Sequence, residues 1–161
     1  MSDISEARLA IARTLGATHT FNPATDGDIS DFLKRTYGTQ QVILTNEEVP
    51  NLQVVFDCAG VPSVLSESIQ NLAPNGKLII LAVYKEKAEL DAMLIMLKML
   101  TIKGSFGFSP ADMQEAIDLV AAEKIDLLPL VTHRFPLVEL PEAFVTQSNP
   151  AEAVKVLVVP S

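Results

Sequence analysis

Two near-continuous apolar runs constrain the fold of this chain more than any other feature of its sequence. They are residues 52–60 and 76–83, and an amphipathic stretch, residues 62–72, lies between them. Runs without polar alternation are typical of strands that are covered on both faces, as in parallel sheets. Parallel strands need a long crossover connection, which is usually a helix. The pattern therefore predicts a β–α–β unit inside a parallel sheet.

Helices and strands alternate along most of the remaining chain. Gly16 and Gly38 stand where two predicted helices end, and Ser109 is placed to cap the start of another. The secondary structure of residues 39–51 is ambiguous from the sequence, which fits a short strand or a loop. Further helices are predicted at 5–15, 28–37, 91–100 and 110–123, and further strands at 18–22 and 101–108. This alternation predicts an α/β fold with parallel strands and helices on both faces of the sheet.

The pattern changes after Ile125. Residues 127–137 and 154–160 are extended in pattern and rich in proline, and a short helix is predicted between them at 141–147. We expect residues 1–125 to form one domain. Residues 126–161 are then a tail that is an edge element or belongs to a neighbouring module.

Composition argues against several classes of function. The 161 residues carry 12 Lys and Arg against 20 Asp and Glu, a net charge of −8, which disfavours binding to nucleic acid or to anionic membrane surfaces. The longest apolar stretch, residues 92–100, contains Lys98 and is about half the ~20 residues that a membrane-spanning helix needs. No secretory signal is visible at the N-terminus. We therefore expect a cytoplasmic protein with no nucleic-acid or membrane partner.

The residues indicate no metal site and no catalytic residue. A catalytic zinc needs about three converging protein ligands, whereas Cys58, His19 and His133 lie on separate segments. Cys58 ends an apolar run without a cationic neighbour in the sequence, so we expect a small core thiol rather than a nucleophile. The sequence contains neither a nucleophile elbow nor a glycine-rich phosphate loop.

A ligand site is indicated where the predicted strands end. Ligands of open parallel sheets bind beyond the carboxyl ends of the strands. Small or flexible residues stand at these ends in residues 58–61, 81–83 and 104–107. Small side chains let a flat ligand approach the backbone, but they are also typical of strand ends that bind nothing. From the residues alone the two interpretations have equal weight.

The order and spacing of several segments resemble a known family, that of the zinc-dependent medium-chain alcohol and polyol dehydrogenases. The resemblance is strongest to its sorbitol and butanediol dehydrogenase branch. The chain is similar to the C-terminal part of these proteins, from the end of the second coenzyme-domain strand onwards. The segments are residues 3–17 (DISEARLAIARTLGA), 54–60 (VVFDCAG), 72–81 (LAPNGKLIIL), 102–108 (IKGSFGF) and 131–144 (VTHRFPLVELPEAF).

The resemblance implies hydride transfer between an alcohol and a nicotinamide coenzyme. Asp3 matches the acid that binds the adenine ribose hydroxyls and favours NAD over NADP. Arg8 matches a basic residue beside that ribose and Lys155 a basic position that reaches the pyrophosphate, and a solvated charge is the alternative for both. The residues that match segments along the coenzyme are Ala59, Gly60, Val61, Leu81, Ala82 and Val83, and those that match the segment near the nicotinamide are Ser105 and Phe106.

The resemblance also defines family features that have no counterpart in these residues. They are the first coenzyme strand, its glycine-rich turn and the catalytic domain that holds the family's zinc ligands. We therefore expect an incomplete doubly wound parallel sheet of the Rossmann type in residues 1–125. Residues 126–161 form a C-terminal extended tail that in the family returns to the catalytic domain. The predicted function is a partial NAD-binding domain of an alcohol or polyol dehydrogenase, with weak or no NAD binding and no catalysis alone.

The alternative is a non-catalytic interaction module derived from a dehydrogenase. The missing first strand lies in the middle of the Rossmann sheet, and its loss would leave two unpaired edges. Such edges favour a homodimer or a complementing chain, with residues 101–108 and 127–137 as the surface. A nucleotide-binding sensor with a different ligand is a third interpretation.

Overall fold

The computed structural model describes residues 1–149 and 151–160. The chain forms two compact units, one of Asp28–Gly107 and one of Met1–Gly27 together with Phe108–Ser161. The helices are α1 (Glu6–Thr14), α2 (Ile29–Tyr37), α3 (Pro62–Asn71), α4 (Ala92–Leu97), α5 (Pro110–Ala121) and α6 (Leu140–Gln147). The strands are β1 (Thr39–Gln41), β2 (Glu48–Pro50), β3 (Leu52–Asp57), β4 (Leu72–Ile80), β5 (Thr101–Gly104), β6 (Val131–Pro136) and β7 (Lys155–Val159).

A parallel sheet with the strand order β3-β4-β5 lies at the centre of the unit Asp28–Gly107. Asp57 pairs with Ile80 and Ile80 pairs with Gly104, so the three strands end side by side and point in one direction. The helix α3 connects β3 to β4, and α4 connects β4 to β5. The α/β fold with a parallel sheet is therefore confirmed.

Both connecting helices pack against one face of this sheet. Leu65 and Ile69 of α3 form a buried cluster with Leu72 and Leu78 of β4. Full burial of one such side chain contributes roughly 1.5–3 kcal/mol to folding, so this cluster stabilises the sheet. Partly buried side chains from α4 and from all three strands complete it, among them Val55, Ile80, Leu94, Ile95 and Ile102.

The opposite face of the sheet differs from the expectation that these strands are covered on both faces. Side chains along a strand point alternately to its two faces, and α3 and α4 pack on the face that carries Val55. On the other face, the residues Val54 and Phe56 are 43% and 64% exposed. Among the described residues, helices pack against one face of β3 only, so the expectation is wrong for this strand.

Residues 39–51, which the sequence left open, contain an antiparallel hairpin. In it β1 pairs with β2, and Gln40 lies opposite Val49. Val42 and Val49 are buried, whereas Ile43 and Leu44 are exposed at the tip. The segment thus holds both a short strand pair and a loop.

A fully buried lysine closes the C-terminal end of α3. The Nζ atom of Lys98 donates hydrogen bonds to the carbonyl oxygens of Ile69 at 3.2 Å and Gln70 at 2.6 Å. These carbonyls belong to the last turn of the helix and have no partner further along it. Burial lowers the pKa of Lys98, and the charge of Glu47 opposes this shift. The ammonium group therefore stabilises the junction between α3 and β4.

The other unit, Met1–Gly27 with Phe108–Ser161, contains α1, α5, α6 and a parallel pair of β6 and β7. The predicted strand at 18–22 is reduced to one parallel bridge between Ser2 and Phe21, because only the short segment before α1 lies beside it. Ser5 caps α1 by accepting a hydrogen bond from the Arg8 N–H group. Within residues 1–149 and 151–160, no helix is long and apolar enough to cross a membrane.

Candidate functional site

The carboxyl ends of β3, β4 and β5 form the candidate site. The N–H groups of Leu81 and Ala82 donate to the carbonyl oxygen of Asp57 at 2.9 and 3.0 Å. The Ser105 N–H group donates to the carbonyl oxygen of Ile80 at 2.9 Å. These bonds tie together the segments that follow the strands, which therefore leave the sheet at a common edge.

Gly60 lies where the turn after β3 and the segment after β4 are in close contact. Its φ of +67° is in the left-handed region that favours glycine. A Cβ atom at this position would lie 2.6 Å from the carbonyl oxygen of Val83 and 3.2 Å from the Cβ of Ala82. The turn after β3 and the segment after β4 are thus packed so tightly that only glycine fits without a shift.

A buried carboxylate organises the same turn. Asp57 is 2% exposed, and its Oδ1 atom accepts hydrogen bonds from the N–H groups of Ala59 at 2.9 Å and Gly60 at 3.3 Å. The hydroxyl of Tyr84 donates to its Oδ2 atom. Burial and the adjacent Asp57 carboxylate raise the pKa of Tyr84 above its ordinary value of 10.0. The phenol therefore stays protonated, as a donor to a carboxylate must.

A cavity of about 350 Å³ opens beside the Gly60 turn. The helix α3 begins there with Pro62, and no side chain caps its first turn. Free N–H groups at a helix start favour a negatively charged or polar ligand group. The cavity is lined by Ala59, Gly60, Val61, Pro62, Val83, Lys85 and Glu86.

Apolar side chains are exposed on the segments that leave this edge. Val61 and Leu81 are about half exposed, Val83 is largely exposed, and Phe106 is 99% exposed. Contiguous exposed apolar groups rimmed by polar ones are typical of binding surfaces. The edge therefore combines close backbone approach, polar backbone groups and apolar side chains.

Asp3 and Arg8, two of the remaining site residues from the sequence, are neighbours in the other unit. The Oδ1 atom of Asp3 accepts a hydrogen bond from the Ser5 N–H group at 2.8 Å, and its Oδ2 atom lies 3.7 Å from the Arg8 guanidinium. The Asp3 side chain keeps 18% of its surface exposed, so the carboxylate has lone pairs left for a ligand. Lys155 begins β7 and is also exposed.

The predicted site residues thus fall into two groups. The structure places Ala59, Gly60, Val61, Leu81, Ala82, Val83, Ser105 and Phe106 on the three segments of the sheet edge. It places Asp3, Arg8 and Lys155 in the unit built on α1, α5 and α6. Their role in binding remains a prediction.

One prediction at this edge is wrong, because Cys58 is exposed. The strand β3 ends at Asp57, one residue before Cys58, so the thiol lies in the turn and not in the core. Among residues 1–149 and 151–160, no group of three or more His, Cys, Asp or Glu side chains could hold a metal ion. The donor set described here therefore does not fit a zinc site.

Two residues of the site, Asp57 and Tyr84, were not predicted from the sequence. An acid at the end of an apolar run is a signal for Asp57, since a buried carboxylate needs hydrogen-bond partners. No local pattern marks Tyr84, which lies 27 residues further along the chain.

The three aligned parallel strands with their connecting helices place the chain in the class of open α/β folds, in which ligands bind beyond the carboxyl ends of the strands. Comparison with known proteins gives the family. A sequence model of the zinc-binding dehydrogenase family matches residues 1–122. The chain belongs to this family.

Curated relatives carry dehydrogenase and reductase names. An L-threonine 3-dehydrogenase of Saccharopolyspora erythraea is 34% identical over 146 residues, which are 91% of this chain and 39% of that protein. A D-xylulose reductase of Saccharomyces cerevisiae is 27% identical over 97% of this chain and 42% of its own length. The chain thus spans about 40% of the length of these relatives.

Solved structures share the fold over nearly the whole chain. The 2R,3R-butanediol dehydrogenase of Bacillus subtilis has a TM-score of 0.81 and 25% identity, covering 99% of this chain and 43% of its own. A protein of Sinorhizobium meliloti, described as a zinc-binding dehydrogenase and solved with NADP bound, has a TM-score of 0.76 and 30% identity, covering 99% and 44%. The predicted Rossmann-like fold, and the match to part of a dehydrogenase, are confirmed.

Proposed function

We propose that this chain is the coenzyme-binding part of an NAD-dependent alcohol or polyol dehydrogenase and does not catalyse the reaction alone. The observation that carries the proposal is the alignment of Asp57, Ile80 and Gly104 at one edge of a parallel sheet. In open parallel sheets, dinucleotides bind outside this edge. The close packing of Gly60 on Val83 supports it, because it leaves flat backbone for a ligand to lie against.

The residues at the sheet edge would hold the nicotinamide half and the middle of the coenzyme. The coenzyme, when bound, supplies the acceptor for the hydride of an alcohol carbon. Exposed Phe106 and Val83 offer apolar surface to a nicotinamide ring, and the N–H groups at the start of α3 favour a phosphate. Since the described residues do not fit zinc, the residues that activate the alcohol are assigned to the remainder of the parent enzyme.

Asp3 would select the coenzyme. A carboxylate accepts hydrogen bonds from the 2′- and 3′-hydroxyls of the adenine ribose and repels a 2′-phosphate, so NAD is favoured over NADP. The Arg8 guanidinium lies 3.7 Å from the Asp3 carboxylate and would help to orient it. Lys155 would contribute a positive charge towards the pyrophosphate.

Coenzyme binding tests the first half of the proposal. NADH and NADPH are titrated into the chain, and binding is followed by the fluorescence of the reduced nicotinamide. We expect weak binding with a preference for NADH over NADPH. Asp3→Asn should reduce this preference by about tenfold, because a charge-assisted hydrogen bond to the ribose is lost. Glu152→Gln, which changes an exposed acid of the same unit, serves as the control and leaves the preference unchanged. An equal affinity for both coenzymes in the wild type would contradict the assigned role of Asp3.

Turnover tests the second half. The pure chain is mixed with NAD, zinc and a panel of polyols, and the absorbance of NADH is followed over time. We expect no sustained rise, because the described residues provide no metal-binding group. Steady formation of NADH at a rate proportional to the protein concentration would overturn this part of the proposal.

One observation favours a second candidate function, that of an interaction module. Within the described residues, β3 and β5 are each paired on one side only, and the face with Val54 and Phe56 is exposed. Unpaired edges pair readily with a strand of another chain. Sedimentation at tens of micromolar protein distinguishes the two functions. A concentration-dependent dimer that Phe56→Lys abolishes would support the module, and a compact monomer would count against it.

A further inference from the structure

The carboxylate of Asp57 is a buried charge with an unusual distribution of partners. A buried carboxylate is costly unless hydrogen bonds satisfy its oxygens. Here Oδ1 bonds the N–H groups of Ala59 and Gly60 in the turn after β3. Oδ2 accepts instead from Tyr84, which follows β4. One side chain therefore joins two segments that are separate in sequence.

The main chain of Asp57 joins the same two segments. Its carbonyl oxygen accepts from the N–H groups of Leu81 and Ala82 at 2.9 and 3.0 Å. The contact between Gly60 and the carbonyl oxygen of Val83 then sets how closely the segments approach. Residues 58–61 and 81–84 are thus linked on both sides of Asp57, by its backbone and by its carboxylate.

We propose that Asp57 and Tyr84 are positioning residues that hold the turn 58–61 and the segment 81–84 at the separation a nicotinamide dinucleotide needs. This inference rests on the proposed function, because it assigns these segments to coenzyme binding. Neither side chain lines the cavity beside Gly60, so both act through the backbone that does. An unlinked turn would bind the coenzyme only after it had been ordered, and that ordering lowers affinity.

The hydrogen-bond chemistry explains why a carboxylate and a phenol suit this task. An ionised carboxylate only accepts, and its two oxygens can take several donors at once. The two backbone N–H groups and the phenol O–H are all donors, so every partner fits. An asparagine could keep both backbone N–H groups on its one oxygen, but its NH₂ group would then face Tyr84, and the phenol would have to accept a hydrogen bond instead of donating one.

The experiment compares Tyr84→Phe with Tyr37→Phe, which alters the chain's other tyrosine at the end of α2. Hydrogen exchange is followed at the Ala59 and Gly60 amides, with the Leu78 amide in the core of the sheet as the internal reference. We expect Tyr84→Phe to speed exchange at the turn by about threefold to tenfold, since a hydrogen bond to a charged group is lost. The same variant should weaken NADH binding by about fivefold, and Tyr37→Phe should change neither.

A second variant, Asp57→Ala, removes both links of the carboxylate. It should speed exchange at Ala59 and Gly60 by tenfold or more. If this variant does not fold, Tyr84→Phe still decides the question. If the contact only stabilised the fold as a whole, its loss would speed exchange at the Leu78 amide to the same extent as at the turn.

The outcomes separate the inference from the proposed function. If the wild type binds NADH but Tyr84→Phe alters neither local exchange nor affinity, the positioning role is refuted and the proposed function stands. If the wild type binds no NADH yet Tyr84→Phe still loosens the turn, the proposed function fails and the link between the two segments is upheld.

Discussion

Replacement of Gly60 by alanine tests whether the two turns at the sheet edge are packed as tightly as the structure shows. The new Cβ atom would meet the carbonyl oxygen of Val83 at 2.6 Å, a distance at which the backbone must shift. The left-handed φ of +67° adds a second cost. For a non-glycine residue, that conformation costs roughly 1–2 kcal/mol.

The steric cost can be separated from the conformational cost within the same unit. Gly107 has a φ of +72°, but nothing lies within 4 Å of a Cβ atom at that position. Gly107→Ala should therefore cost only the roughly 1–2 kcal/mol of the backbone conformation. Overpacking adds typically 1–3 kcal/mol, so Gly60→Ala should reduce the free energy of unfolding by about 2–5 kcal/mol in total.

Urea unfolding measures both variants against the wild type. The midpoint should fall while the slope of the free energy against urea stays constant, because the surface exposed on unfolding is unchanged. The reasoning is refuted if Gly60→Ala costs no more than Gly107→Ala, since the contact between Gly60 and Val83 would then not be tight in solution.

Three further results are expected from substitutions and from the pH dependence of stability. Lys98→Met should lower the free energy of unfolding by roughly 1–3 kcal/mol, because two helix-end carbonyls lose their donor; a value within error of the wild type in urea unfolding would contradict the capping role. Burial lowers the pKa of Lys98 in the folded chain from its ordinary value of 10.5, so the unfolded chain binds this proton more tightly. The free energy of unfolding should therefore increase as the pH rises through the folded pKa towards 10.5. The wild type should show this increase, and Lys98→Met should not. Burial is the main cause that raises the pKa of Tyr84 in the folded chain above 10.0, so above pH 10.0 the unfolded chain loses this proton more readily. The free energy of unfolding should therefore fall as the pH rises above 10.0. Unfolding measured at several alkaline pH values should show a smaller fall for Tyr84→Phe.

The sequence allowed the order of the main elements to be predicted, because apolar runs and amphipathic stretches alternate over most of the chain. It also located the common edge, since strands that run parallel end on the same side of their sheet. The register Asp57–Ile80–Gly104 agrees with that prediction. Both results follow from local patterns that repeat within single elements.

Other features depend on contacts that no local pattern records. An apolar run does not say whether helices cover one face of a strand or two, so the exposure of Phe56 was missed. Cys58 was assigned to the core because β3 was expected to continue, whereas it ends at Asp57. The bond from Tyr84 to Asp57 joins residues 27 positions apart, and no spacing rule would have paired them.

The central claim is that the aligned strand ends bind a nicotinamide dinucleotide, and residue-resolved NMR during an NADH titration tests it most directly. The amide signals of residues 59–61, 81–83 and 105–106 are expected to shift together as NADH is added. Those of the hairpin tip, residues 43–45, should not move. Shifts confined to other surfaces, or none at all at millimolar NADH, would contradict the account.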